Sequence, residues 1–232
     1  MRKVAEALSP STGDHRNIIV SGLTAAGKTT HALLIAKWLG YDYVSASELM
    51  LRLLKVQPDM DNTLWATSLS TIERLRNQYP ADEEVNRLLI AEAQRRTSTV
   101  FDSWSLPWLI DDIPCVRLYI ESDLRSRSLK VRVSQQPHAV RLSLEECTAL
   151  AEEKDRTTAV RLQPLLGVDI RTDRSVFDAV LDNSAYIDEP TIEAARAGIS
   201  AFHASIQRTL CRLRADPAAA PDNIHRTGPL PQ

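Results

Sequence analysis

The series Gly22-Leu23-Thr24-Ala25-Ala26-Gly27-Lys28-Thr29 fits the spacing GxxxxGK[ST] without departure. These residue types suit one kind of chemistry, the cradling of a nucleotide polyphosphate. Glycines allow a tight backbone turn, so successive N–H groups converge on phosphate oxygens. Lys28 is placed to reach the β- and γ-phosphates, and the Thr29 hydroxyl to hold magnesium. The expected nucleotide contacts are Gly22, Thr24, Ala25, Ala26, Gly27, Lys28, Thr29 and Thr30. A GK[ST] match alone is weak, and the flanks decide. An apolar run, Asn17–Ser21, precedes the loop, and a helical pattern from Gly27 to Leu39, closed by Gly40, follows it. A strand, a loop and the positive end of a helix dipole would then meet at the phosphates. The sequence predicts binding of ATP or GTP with magnesium.

Those flanks belong to a longer alternation. Further candidate strands are Tyr41–Val44, Thr97–Phe101, Cys115–Ile120 and Ser175–Leu181. Helical patterns fill the gaps: several pieces between Ser47 and Arg96 broken near Pro58 and Pro80, a run from about Asp123, another from Leu144 to about Leu165, and a last one from Glu189 to about Arg214. Five strands alternating with helices predict an α/β fold with a parallel sheet covered on both faces. Ligands in such sheets collect at the carboxyl ends of the strands. Residues 1–16 read as a flexible leader, 17–214 as the folded domain, and 215–232, which hold four of the twelve prolines, as a disordered tail.

Composition narrows the function classes. With 44% apolar residues in 232, the chain can bury a core without disulfides. A net charge of −2, from 28 basic and 30 acidic residues, gives no bulk field for nucleic acid or an anionic membrane. Cys115, Cys147 and Cys211 are too widely spaced for a metal site and read as reduced thiols. His15, His31, His138, His203 and His225 have neither triad nor metal spacing, and His31 reads as a packing or surface residue. There is no secretory signal and no apolar run long enough for a spanning helix, so the chain reads as soluble and cytoplasmic.

The opening IIVSGLTAAGKTTHALLIAKWLGYDYVSASELMLR resembles that of cytidylate and adenylate-type kinases, and GVDIRTDRSVFDAVLDNS, at 167–184, is similar to the last-strand segment of the same nucleoside monophosphate kinases. The resemblance spans about Asn17 to His203. It implies a P-loop kinase with a small helical lid at about 125–165. Ser45, Ser47 and Arg52 match places where the family holds the acceptor. Asp102 keeps an acidic position at the end of the third strand, where a carboxylate organises magnesium. Many relatives follow that position with Gly and an arginine for the acceptor phosphate, whereas this chain has Ser103 and Trp104. An indole supplies no guanidinium fork; it can stack on a base, line an apolar pocket or simply pack the core.

Arg125, Arg127, Lys130 and Arg132 fall on the helix after the fourth strand, and Arg127 and Lys130 share a face. The resemblance implies catalytic roles for Arg127 and Arg161 beside Lys28 and Asp102. In the family's Arg, acidic, Arg positions of the lid helix, counting back from Gly167 gives Lys154, Thr158 and Arg161; a shifted register would instead use Asp155 and Arg156.

Three readings of the activity stay open at this point. One is ATP-dependent transfer of the γ-phosphoryl to a nucleoside monophosphate, with cytidylate favoured by the resemblance. Another is phosphorylation of a specialised small molecule, motivated by Trp104. The third is a nucleotide-binding regulatory protein. The expected partner is a small-molecule acceptor, not nucleic acid or membrane, with monomer and homodimer both open.

Overall fold

The structure, a computed structural model, describes residues 14–56, 74–76, 80–135 and 142–215. The helix break near Pro58, the middle of the loop at 134–143, most of the leader and the tail from 216 lie outside the described residues.

Both faces of the first strand are covered, which is why NIIVS reads as a continuous apolar run. In β1 (Asn17–Gly22) side chains alternate across the sheet. Ile18 and Val20 pack against Ile35 of α1 (Lys28–Leu39) and Phe202, Ile206 and Leu210 of α6 (Ile192–Ala215). Ile19 turns the other way, with Phe101, onto Val85 and Leu89 of α3 (Ala81–Arg95) and the inner side of α2 (Ala46–Leu53). Each fully buried side chain of this kind contributes about 1.5–3 kcal/mol.

The remaining strands are β2 (Asp42–Ser45), β3 (Thr99–Asp102), β4 (Cys115–Glu121) and β5 (Ala179–Asp182). They form one parallel sheet in the order β2-β3-β1-β4-β5. The chain therefore leaves β1 toward opposite sides, to β3 and β2 on one and to β4 and β5 on the other. The loop after β1 opens at that divergence, the place where open α/β sheets take ligands.

Two helices cross above it. The carboxylate of Asp123 starts α4 (Leu124–Ser134) by accepting the Ser126 N–H at 2.6 Å. A reciprocal pair, Ser143 with Glu146, starts α5 (Leu144–Leu166), and Gly167 ends it with φ at 72°. Val131 of α4 packs on Cys147 and Ala151 of α5.

The second and third strands are shifted by one or two residues from the sequence expectation, to Asp42–Ser45 and Thr99–Asp102, and three other boundaries differ for identifiable reasons. The last strand begins at Ala179 rather than Ser175, because Phe177 N–H donates to the Arg174 carbonyl in a turn and the Asp178 carboxylate accepts the Arg117 N–H at 2.7 Å. The final helix begins at Ile192, after Pro190, with the Thr191 hydroxyl accepting the Ala194 N–H at 3.1 Å. The end of the expected leader is anchored: Arg16 donates to the Leu213 carbonyl at 2.9 Å and Asp14 accepts from Arg214 at 3.2 Å. Among the described residues no helix is long and apolar enough to cross a membrane, and the three cysteines are unpaired with one another.

Candidate functional site

Gly22 and Gly27 adopt φ of 147° and 100°, a region that strains any residue with a side chain. A Cβ on Gly22 would also lie 2.5 Å from the Ile120 carbonyl oxygen, so only glycine fits beside β4. At the start of α1, Gly27 offers no side chain to cap the first turn, which leaves those N–H groups for an anion. Lys28 is buried and donates to the Leu23 carbonyl at 2.8 Å. Burial pulls its pKa down to about 8, against the opposing pull of Asp102 and Asp155.

Across the loop, the Thr29 hydroxyl donates to Asp102 Oδ2 at 2.5 Å, and the Tyr43 hydroxyl donates to the same oxygen at 3.3 Å. Burial, with Asp102 next, holds the Tyr43 phenol well above its ordinary pKa, so it remains a donor. The two oxygens expected to serve magnesium thus touch. A hydroxyl and a carboxylate suit that ion, which takes few protein ligands and keeps its remaining places for phosphate and water.

These groups sit at the centre of a cleft of about 630 Å³. The sheet order divides it into two wings. On the β3 and β2 side the walls come from α2, Arg76, one face of α3 (Asp82, Val85, Asn86), Trp104, Ser105, and Lys154, Thr158 and Leu162 of α5. On the β4 and β5 side they come from Lys130 and Val131 of α4, Asn183, Tyr186, and Ala195, Gly198, Ile199 and Phe202 of α6. His31 of α1 also lines the cleft; it stacks on His203 with centroids 5.6 Å apart, and burial pushes its pKa down to about 3.

The expected site residues divide sharply. Thr24, Ala25, Ala26, Gly27, Lys28, Thr29, Thr30, Ser45, Asp102 and Trp104 all line the cleft, with Gly22 at the root of the loop. Ser45 also caps α2, accepting the Glu48 N–H at 3.3 Å. Trp104 lies beneath the Lys28 ammonium, 4.8 Å from ring centroid to Nζ, and packs its other side on Ala159, Leu162 and Ile170. It is both a cleft wall and a core residue.

The expected arginines do not line the cleft. Arg52 projects from α2 with 74% of its side chain exposed, beside Glu48 at 3.6 Å. Arg156 is exposed on the outer face of α5, paired with Glu153 at 2.7 Å. Arg161 lies 3.9 Å from Asp82. Arg127 is buried, and its guanidinium donates to Asp155 Oδ2 at 2.5 Å, the Thr24 carbonyl at 3.2 Å and the Ser122 carbonyl at 3.1 Å. Asp155 in turn accepts the Thr24 N–H at 2.9 Å. Neither Arg127, expected to be catalytic, nor Asp155, expected to bind substrate, lines the cleft; the two pair with each other and hold both the N–H and the carbonyl of Thr24 in the P-loop.

Sequence reasoning gave no role to three residues that line the cleft. Asn183 donates to the Ala26 carbonyl at 2.8 Å and accepts from Lys130 at 2.6 Å, joining β5 and α4 to the loop. Its segment, LDNS, was part of the resemblance, so the signal was present. Arg76 and Asp82 form an ion pair with side chains 11% and 15% exposed. No local pattern marks them. Lys154 and Thr158 are where counting back from Gly167 puts them; burial of the Lys154 ammonium, with Lys28 and Arg76 nearby, brings its pKa to about 7 against the pull of Asp155 and Asp102.

The profile of the cytidylate kinase-like family matches residues 17–185, from β1 through the Asn183 turn. The chain belongs to that family. This cytidylate kinase-like chain is 24% identical over 190 residues to a cytidylate kinase of Pyrococcus abyssi, covering 82% of itself and 96% of the relative. It is 29% identical over 167 residues to a cytidylate kinase of Pyrobaculum aerophilum, covering 72% and 83%. A solved structure of an uncharacterized protein from Eubacterium ventriosum aligns with a TM-score of 0.52 at 11% identity, over 84% of this chain and 98% of its own, a likeness of fold alone. The cytidylate kinase-like chain is an ATP-dependent P-loop kinase.

Proposed function

We propose that this kinase moves the γ-phosphoryl of ATP onto the phosphate oxygen of a nucleoside monophosphate, with cytidylate the favoured acceptor. The observation that carries this reading is the 2.5 Å contact between Thr29 and Asp102, which marks the γ-phosphate end of the cradle. Asp102 ends β3, so the wing on the β3 and β2 side faces the transferred group and takes the acceptor. The β4 and β5 wing then takes the donor's base.

In this reading the N–H groups of Ala25 to Thr30 hold the polyphosphate, Lys28 swings from the Leu23 carbonyl to the β- and γ-oxygens, and Lys154 faces the charge that spreads over the moving phosphoryl. Thr29 and Asp102 would hold magnesium, which when bound neutralises charge on the β- and γ-phosphates. An acceptor phosphate is already ionised, so no general base is needed. Positioning and charge neutralisation do most of the work. The archaeal relatives named cytidylate kinase support this choice of acceptor.

A second reading is favoured by Trp104 at the end of β3: the acceptor is an alcohol of a specialised small molecule, and a carboxylate must take its proton. ADP release measured with CMP, dCMP, UMP, AMP, GMP and a panel of sugar and cyclitol alcohols separates the two. Strong stimulation by one monophosphate is expected. Stimulation by an alcohol and by no monophosphate overturns the first reading.

A further inference from the structure

A phosphate-bearing acceptor needs cations on its own side of the cleft, and the arginines expected from the sequence are elsewhere. Arg52 and Arg156 are exposed, Arg127 is committed to Asp155 and Thr24, and Arg161 sits on the far side of the Asp82 carboxylate without lining the cleft. Among the described residues, Arg76 is the one arginine that lines the cleft. It does so in the acceptor wing, with 11% of its side chain exposed.

We propose that Arg76 is the residue that reads the acceptor's phosphate, and that Asp82 is its positioning residue. The inference rests on the kinase reading given above and deepens it. Asp82 stands in the first turn of α3, where the helix dipole favours a carboxylate. Its Oδ1 accepts from Arg76 Nη2, while its Oδ2 faces Arg161 at 3.9 Å. One carboxylate thus ties the short segment 74–76 to α3 and steadies one edge of the guanidinium. Lys154 comes from the other wall, near enough for Arg76 to act on its charge. The Lys154 ammonium and the Arg76 guanidinium, whose one edge is shared with Asp82, together offer a phosphomonoester charge-assisted donors that a neutral alcohol would use less well. The planar fork of Arg76 also matches two phosphate oxygens at once, which the ammonium of Lys154 cannot do.

The position also accounts for Trp104. With the guanidinium delivered from segment 74–76, the end of β3 is released from contacting phosphate, and an indole there supports Lys28 and the α5 packing instead.

The test uses the full chain, initial rates with ATP and the monophosphate that stimulates it most, and the variants Arg76→Ala, Arg76→Lys and Asp82→Asn. Calorimetry with ADP and magnesium on each variant reports whether the cradle is intact, and Arg76→Lys, which keeps a cation, serves if Arg76→Ala fails to fold. Arg76→Ala is expected to raise the KM for the acceptor about 10- to 100-fold, the range for losing a charge-assisted pair of hydrogen bonds, with the KM for ATP within about twofold of the parent. Arg76→Lys should recover little, because the fork is lost, and Asp82→Asn should raise the acceptor KM by less than Arg76→Ala. Adding Trp104→Arg to Arg76→Ala should restore part of the affinity. An acceptor KM unchanged in folded Arg76→Ala, or an equal rise for ATP, overturns the assignment while leaving monophosphate phosphorylation standing. Phosphorylation of an alcohol and of no monophosphate by the parent protein overturns both.

Discussion

The two halves of the cleft are built differently: the P-loop half presents main chain, whereas the wing on the β3 and β2 side, the proposed acceptor half, presents side chains brought from distant parts of the sequence. The cradle between β1 and α1 is one contiguous stretch whose shape follows from two glycines held at φ of 147° and 100° and from a helix end without a side-chain cap. The acceptor wing draws on α2, segment 74–76, α3, the end of β3 and α5, more than a hundred positions of chain. A site made of backbone dihedrals is written locally, so its geometry survives wide changes elsewhere. A site made of side-chain tips depends on packing, so it is where related chains are free to diverge.

The contrast can be strained at its strongest point first. Lys28→Ala should lower turnover by about 10³-fold or more while the thermal transition of the unliganded protein moves little, since among the described residues the ammonium donates to the Leu23 carbonyl and its burial disfavours the charge. Full activity in folded Lys28→Ala protein would end the distinction, because the main-chain half would then not be where ATP is held.

A smaller effect crosses between the halves. Asp155→Ala leaves the buried Arg127 without its carboxylate and frees Thr24, so urea unfolding should give a loss of about 3 kcal/mol, with a raised KM for ATP although Asp155 never faces the cleft. Unchanged stability would mean that the loop needs no brace.

The smallest effect is one of pH. Lys154 must carry its proton to face a phosphoryl group, and its pKa near 7 lies below the ordinary lysine value. The acceptor kcat/KM should therefore fall as pH rises through 7, by about tenfold at pH 8 relative to full protonation. A guanidinium keeps its charge there, so Lys154→Arg should move the alkaline limb toward the range of Lys28, near pH 8. An identical pH profile in Lys154→Arg would remove Lys154 from the acceptor half.

How much of this could be read in advance follows the same division. The strands, the covered parallel sheet and the cradle follow from hydrophobic runs and one motif, and of the residues counted from Gly167, Lys154 and Thr158 line the cleft whereas Arg161 does not. The surroundings of the arginines did not follow. Lys154, Asp155 and Arg156 are consecutive, yet one lines the cleft, the next grips Thr24 and Arg127, and the third lies in solvent beside Glu153. With about 100° between successive residues of a helix, a shift of one position changes the whole environment, and a run of charges does not reveal which face is buried. Asp178 misled for a related reason. SVFDAVL has strand-like composition, but the carboxylate and turn at its start are engaged before the ladder begins.

The placement of Asp155 and Lys154 on one rigid helix has a thermodynamic consequence. If ATP fixes α5 by way of Thr24, it also fixes the wall that greets the second substrate, and the second substrate must favour ATP by the same factor, since binding free energies around a closed cycle are reciprocal. The kinase would then assemble its ternary complex with mutual reinforcement, the order of arrival altering the path but not the end point.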